Sequence, residues 1–233
     1  MPLRPAAYPD AARDLVERFP GYAATTLLDE LRQVEYARLD AEDHAYLDYT
    51  GSGIYAESQV RAHAAMLTSR VLGNPHSVSL SSSESTALVE SARRAVLRYF
   101  RADDTYTAIF TLNASGALKH VGESYPFVEG SRFLLAFDNH NSVNGIREFA
   151  RARGASVEYA PLTVPDLRLD RPRLAGLFGT LDRTIPNLFA FPAQSNFSGV
   201  KHPLTLVEEA QARGWHVLLD AAAFVPTNRL DLS

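Results

Sequence analysis

Phe133-Leu134-Leu135-Ala136-Phe137, followed at once by Asp138-Asn139-His140-Asn141-Ser142, sets how the rest of this chain reads. The first five residues are an unbroken apolar run; the next five are all polar. A short apolar run closed by turn formers is the pattern of a strand buried on both faces. The same pattern recurs on either side. Strand-like runs at 106–112, 133–137, 156–159, 187–191 and 215–219 alternate with helical stretches at 116–124, 143–153, 171–181 and 204–213. Such alternation with short connections predicts βαβ units, giving an α/β fold with a mostly parallel sheet and helices on both faces. Upstream, the apolar spacing predicts helices over 11–19 and 25–39, with Asp10 and Thr25 as N-caps. A short strand at 45–48 and helices over 58–71 and 82–100 follow. This sets a helical segment, 1–44, apart from a large domain, 45–233.

Composition narrows the function. The chain has 233 residues, 46% hydrophobic and 21% charged, which is ordinary globular usage. Its net charge is −4 and its arginines are scattered, so no nucleic-acid partner is expected. There is no cysteine, which excludes disulfides, a thiol nucleophile and a thiolate-held metal within these residues. The histidines lack carboxylates at ligand spacing, so no metal site is expected. No Gly-x-Ser-x-Gly elbow supports acyl-transfer hydrolysis. No apolar run reaches the ~20 residues of a membrane span. Met1-Pro2-Leu3-Arg4 leads into no apolar signal segment. The expected location is cytoplasmic, away from any membrane.

Ligands of parallel sheets sit at the carboxyl ends of the strands. Thr111-Leu112-Asn113-Ala114-Ser115-Gly116 opens a helix with small residues, whose N–H groups can reach an anion. Ser115 can cap that helix and also donate to a phosphate; the plain alternative is a capped βα turn. His140 can act as acid, base, ligand or flat stacking ring, against a surface turn built on Asn and Asp. Phe191 to Gly199 gathers uncharged hydrogen-bonding groups, including Asn196, or is a long loop with a glycine turn. Asp220 closes a strongly apolar strand, where a carboxylate needs a cationic partner; the alternative is an N-cap of the next helix.

In this order and spacing the segments resemble pyridoxal-phosphate (PLP) enzymes of the class V aminotransferase fold, the group containing cysteine desulfurases. They look most like the molybdenum cofactor sulfurase-like branch. The resemblance rests on Tyr46-Leu47-Asp48-Tyr49 with Gly51, Gly73-Asn74-Pro75-His76-Ser77, Asn113 to Lys119, Asp138-Asn139-His140, Gln194 to Gly199 and Leu219 to Val225. It implies pyridoxal 5'-phosphate as cofactor, a small amino acid as substrate, and a homodimer. Ala114 and Ser115 would hold the cofactor phosphate, His140 would stack on the pyridine ring, and Asp220 would pair with its protonated nitrogen. Asn196 would contact the substrate carboxylate or the ring oxygen, and His76 falls in a family segment near the pocket, as a substrate contact.

Two departures stand out. Ala223 occupies the position of a glutamine in typical cysteine desulfurases. The lysine that carries the cofactor in the family would lie past Ser233, and neither Lys119 nor Lys201 replaces it by motif. The resemblance therefore implies a large domain without its C-terminal part, inactive alone and completed by a second chain. A non-catalytic module that binds PLP or a partner is the alternative. A nucleotide-dependent oxidoreductase would need a Gly-x-Gly-x-x-Gly turn, which is absent. Uncovered sheet edges and apolar surface invite aggregation or pairing, so the chain alone is expected to be poorly soluble or to depend on a partner chain. A monodisperse, cooperatively unfolding monomer overturns that expectation.

Overall fold

The computed structural model describes residues 9–179 and 181–233, so the Met1-to-Arg4 lead-in lies outside the described residues. The chain forms two compact units, Met1–Ser91 and Ala92–Ser233.

The first unit is helical: α1 (Pro9–Arg18), a 3-10 turn (Pro20–Thr25), α2 (Thr26–Glu35), α3 (Ala37–Ala41), α4 (Glu57–Ser69) and the start of α5 (Leu80–Tyr99). The single helix expected over 25–39 is interrupted at Tyr36. Thr25 sits at the N-cap position of α2, but its hydroxyl donates to Tyr22 O at 2.7 Å and leaves the helix uncapped. Asp10 lies inside the first turn of α1 and accepts from Arg13 at 2.6 Å. Residues 45–48 form no strand, because no neighbouring segment pairs with them among the described residues. Leu39 is the only buried apolar side chain described in this unit, and Leu27, Leu28, Leu31 and Val34 of α2 are exposed. Polar ties hold the unit locally: Arg32 bonds Asp40 at 3.0 Å, Glu35 Oε2 accepts from Ser58 N–H at 2.8 Å, and Arg38 lies 4.3 Å over the Tyr55 ring.

The second unit carries the sheet. In chain order come α6 (Ala114–Ser124), β1 (Arg132–Ala136), α7 (Asn141–Asn144), α8 (Ile146–Ala152) and β2 (Ser156–Ala160). A small antiparallel hairpin of β3 (Leu162–Thr163) and β4 (Arg168–Leu169) follows, unmarked by any apolar periodicity. Next are α9 (Arg171–Phe178), β5 (Leu188–Pro192), α10 (Leu206–Ala212) and β6 (His216–Asp220). The main sheet has four strands in the order β2-β1-β5-β6, all parallel, with Leu134 opposite Phe189 and Ala190 opposite Leu218.

Strand alternation assigns each side chain to a layer. Phe133 and Leu135 of β1, with Leu188 and Ala190 of β5, pack against Leu118, Val143, Ile146 and Ala150 of α6, α7 and α8. Leu134 and Ala136, with Phe189 and Phe191, pack on the other face against Leu174, Phe178, Leu206 and Ala210 of α9 and α10. Helices thus cover both faces. Trp215 is buried in the second layer, its indole N–H donating to Phe178 O at 3.2 Å. Gly122 lets α6 approach α8: a Cβ there would meet Phe149 Cδ2 at 2.8 Å.

A second expected strand does not form. Residues 106–112 carry no ladder, and Leu112 is 99% exposed. An apolar run becomes a strand only when a neighbour supplies partners for its backbone groups. None of the described strands does so, and the outer edge of β6 is likewise unpaired. No described helix is long and apolar enough to cross a membrane.

The two positions predict opposite outcomes. Phe189 is 0% exposed, so Phe189→Ala should lower unfolding free energy by about 3–5 kcal/mol. Leu112→Ala should change it by about 0.5 kcal/mol or less. Urea titrations followed by tryptophan fluorescence measure both.

Candidate functional site

Parallel strands end on one edge, and there β1, β5 and β6 place their following loops. After β1, the Asn139 side-chain amide donates to Ala136 O at 2.9 Å and to Ala190 O at 3.0 Å. It joins the ends of β1 and β5 beyond their ladder. Next to it, Asp138 Oδ2 lies 2.9 Å from His202 Nε2, with the two side chains only 4% and 1% exposed. This buried pair ties the loop after β1 to the loop after β5. His202 N–H donates to Ala193 O at 3.1 Å, and Ala193 N–H donates to Asp220 O at 2.8 Å, which carries the connection on to the end of β6. The other Asp138 oxygen, Oδ1, and Asn139 Oδ1 are buried without a hydrogen-bond partner among the described residues.

These ties fix the expected site residues. His140 is exposed, and it lines a hollow of about 380 Å³ together with Asp138, Asn196, Phe197 and Ser198. Asn196 stands in a turn closed by Ser195, whose hydroxyl oxygen accepts from Ser198 N–H at 3.3 Å. Ala114 and Asp220 line another hollow of about 450 Å³, walled by Leu118, Val121, Leu218 and Val225. Asp220 Oδ1 accepts from Ala222 N–H at 3.0 Å, a local turn bond, and no cation pairs with this carboxylate among the described residues. Asn113, not Ser115, caps α6: its side-chain oxygen accepts from Gly116 N–H at 2.8 Å. Capping needs a side chain just before the first helical turn, and Ser115 is already inside it. Its hydroxyl is left to meet Ser142 Oγ at 2.6 Å, and Ser142 Oγ lies 2.9 Å from His140 Nδ1. This chain of contacts runs from the N-terminus of α6 to the His140 ring.

His76 belongs to the first unit; its N–H donates to Thr86 Oγ1 at 2.8 Å and its φ is 67°. Ala223 is buried and offers no side-chain donor. Lys119 is exposed on α6, 3.5 Å from Glu123, and Lys201 Nζ donates to Asn228 Oδ1 at 2.5 Å. Sequence reading missed the Asp138–His202 pair, since 64 residues separate its members and nothing in the spacing links them. Ser142, two residues past His140, was within its reach.

The parallel sheet thus sets a helix N-terminus and a strand-end carboxylate in one hollow. A sequence model of the family described as aminotransferase class-V matches residues 45–233, and the chain belongs to that family. Human molybdenum cofactor sulfurase is 38% identical over 222 residues, covering 88% of this chain and 24% of that protein. The Arabidopsis thaliana molybdenum cofactor sulfurase is 37% identical over 239 residues, covering 88% and 29%. Among solved structures, the apo cysteine desulfurase of Thermococcus onnurineus NA1 superposes with a TM-score of 0.69 at 22% identity, over 83% of this chain and 47% of that one. A C-DES variant with glycine covalently linked to its PLP cofactor gives 0.64 at 21% identity, over 78% and 48%. At such identities these structures speak for the fold alone. The chain spans about a quarter of the length of these curated relatives.

The residues present fit a PLP-like group. One hollow offers a carboxylate without a cation and, at Ala114, the amino end of an 11-residue helix, which favours an anion.

Removing one member of a buried hydrogen-bonded pair leaves the other unsatisfied. His202→Leu should therefore cost about 1–3 kcal/mol of stability, and adding Asp138→Leu should recover part of that. Chemical denaturation of both single variants and the double checks it; additive losses would show that the pair is not coupled.

Proposed function

We propose that this chain is the cofactor-holding portion of a PLP-dependent enzyme acting on a small amino acid, of the cysteine desulfurase and molybdenum cofactor sulfurase kind. The observation that carries it is Asp220: a strand-end carboxylate with no cation, in an apolar hollow that it shares with the start of α6. In this reading the N–H groups at Ala114 and Ser115, with the Ser115 hydroxyl, donate to the phosphate. Asp220 accepts from the protonated ring nitrogen and keeps the ring cationic. His140 covers the flat face of the ring. Asn196 donates to the substrate carboxylate, and His76 is assigned to the substrate. When bound, the cofactor supplies an electron sink for negative charge developing at the substrate α-carbon. Leu118, Val121 and Leu218 give the hollow beside the carboxylate its apolar walls. Activity would call for a homodimer or a complementing chain, and the location would be cytoplasmic.

One observation favours a second reading, a non-catalytic module binding PLP or a partner: Lys119 and Lys201 are both exposed and engaged with Glu123 and Asn228.

A charge-assisted hydrogen bond contributes about 1.5–3 kcal/mol, so Asp220→Ala should weaken PLP binding by roughly 10- to 100-fold. Absorbance titration of the chain with PLP reads this, and equal affinity in the variant would sink the assignment. Borohydride treatment followed by mass spectrometry separates the two readings. An adduct on either lysine removes the second; reversible binding without an adduct supports it.

A further inference from the structure

Ser142 takes no part in the roles assigned so far, yet three contacts meet on it. Its backbone N–H points at His140 Nδ1 at 3.2 Å, its Oγ lies 2.9 Å from the same nitrogen, and its Oγ lies 2.6 Å from Ser115 Oγ. The direction of each bond follows from donor arithmetic. A backbone N–H can only donate, so Nδ1 accepts and carries no proton. The imidazole proton then sits on Nε2. With no proton on Nδ1, the bond to Ser142 Oγ is a donation from the hydroxyl. A hydroxyl has one proton, so Ser142 Oγ must accept from Ser115. The chain therefore runs one way, from the Ser115 O–H to Ser142 Oγ, and from the Ser142 O–H to His140 Nδ1. Among the described residues nothing accepts from Nε2–H, on the ring that lines the hollow with Asn196.

The starting point of this chain matters. Ser115 lies in the first turn of α6, where the helix favours an anion. An anion that accepts from the Ser115 O–H turns that donor away from Ser142 and so alters the remaining bond to His140. Hydrogen bonds in series influence one another in this manner.

We propose that Ser142 is a positioning residue that holds His140 as the Nε2–H tautomer and relays occupancy of the anion seat at Ser115 to the imidazole ring. The identification of that anion as the cofactor phosphate rests on the function proposed above; the tautomer assignment does not. The consequence is a ring held by two donors on one edge while its other edge offers a donor of fixed position.

The test uses the full chain, labelled with nitrogen-15, and long-range proton–nitrogen correlation of the histidine rings. The His140 signals are assigned by their loss in His140→Gln. In neutral imidazole, the Nδ1 resonance of the unaltered chain should lie upfield of that in Ser142→Ala, which keeps only the backbone donor. Ser142→Thr, which restores a hydroxyl, should return it. Inorganic phosphate should then shift Nδ1 in the unaltered chain and in Ser142→Thr but not in Ser142→Ala, while the amides of residues 115–117 respond in all three. A proton on Nδ1, or the same Nδ1 position with and without the Ser142 hydroxyl, overturns the tautomer role. An equal phosphate response of Nδ1 in Ser142→Ala overturns the relay. Amides of 115–117 that ignore both phosphate and PLP overturn the anion seat, and with it the relay and the cofactor reading, while the tautomer comparison stands on its own.

Discussion

The parallel pairing of β1 with β5 is the constraint on which the rest of the structure depends. Both strands are covered on both faces, so their backbone groups have no water to turn to and must pair with each other. Parallel pairing places the carboxyl ends of β1, β5 and β6 on one edge. The loops that follow β1 and β5 bring His140 and Asn196 to that edge, and Asp220 ends β6 there. The side chains of these strands alternate between two apolar layers, and each layer selects its own helices. A one-residue slip of β1 against β5 would exchange the layers and misplace every loop beyond.

Polar groups are then concentrated where the strands stop. Asn139 crosses from β1 to β5 with both amide protons used, and the Asp138–His202 pair joins the same two loops a step further out. Burying such a pair adds little net stability compared with an apolar pair of the same size. What it provides is position: two loops that could each drift are held by one polar contact shielded from solvent. Asp220 contrasts with Asp138. Asp138 has a side-chain partner, His202, whereas Asp220 has only a backbone N–H from its own turn among the described residues. That difference is why Asp220, and not the more deeply buried Asp138, is the carboxylate suited to a ligand.

The class V aminotransferase assignment and the geometry bear on different parts of the chain. The family match spans residues 45–233 and so crosses the division between the two compact units. The site residues that the structure connects all lie in the second unit. His76 lies in the first, which is stabilised by local ion pairs and a single buried leucine among its described residues. Residues 106–112 and the outer edge of β6 show the same lack: among the described residues no strand lies beside them.

The sequence by itself determined the layers and the edge. Continuous apolar runs such as Phe133 to Ala136 can be satisfied only by burial on both faces, and the polar clusters that end them can only be loops. Composition and spacing therefore located the four strands of the main sheet, the helices between them and the polar stretches that follow β1 and β5. Only the tertiary structure decided which of these groups meet. Whether 106–112 is a strand depends on a neighbour, which no local pattern encodes. Asn113 rather than Ser115 caps α6 because the exact start of the helix is set by packing. The Asp138–His202 pair and the Ser115–Ser142–His140 chain arise because β1, β5 and α6 fold against one another. Contacts between distant residues depend on distance and angle in space, and a one-dimensional pattern fixes neither.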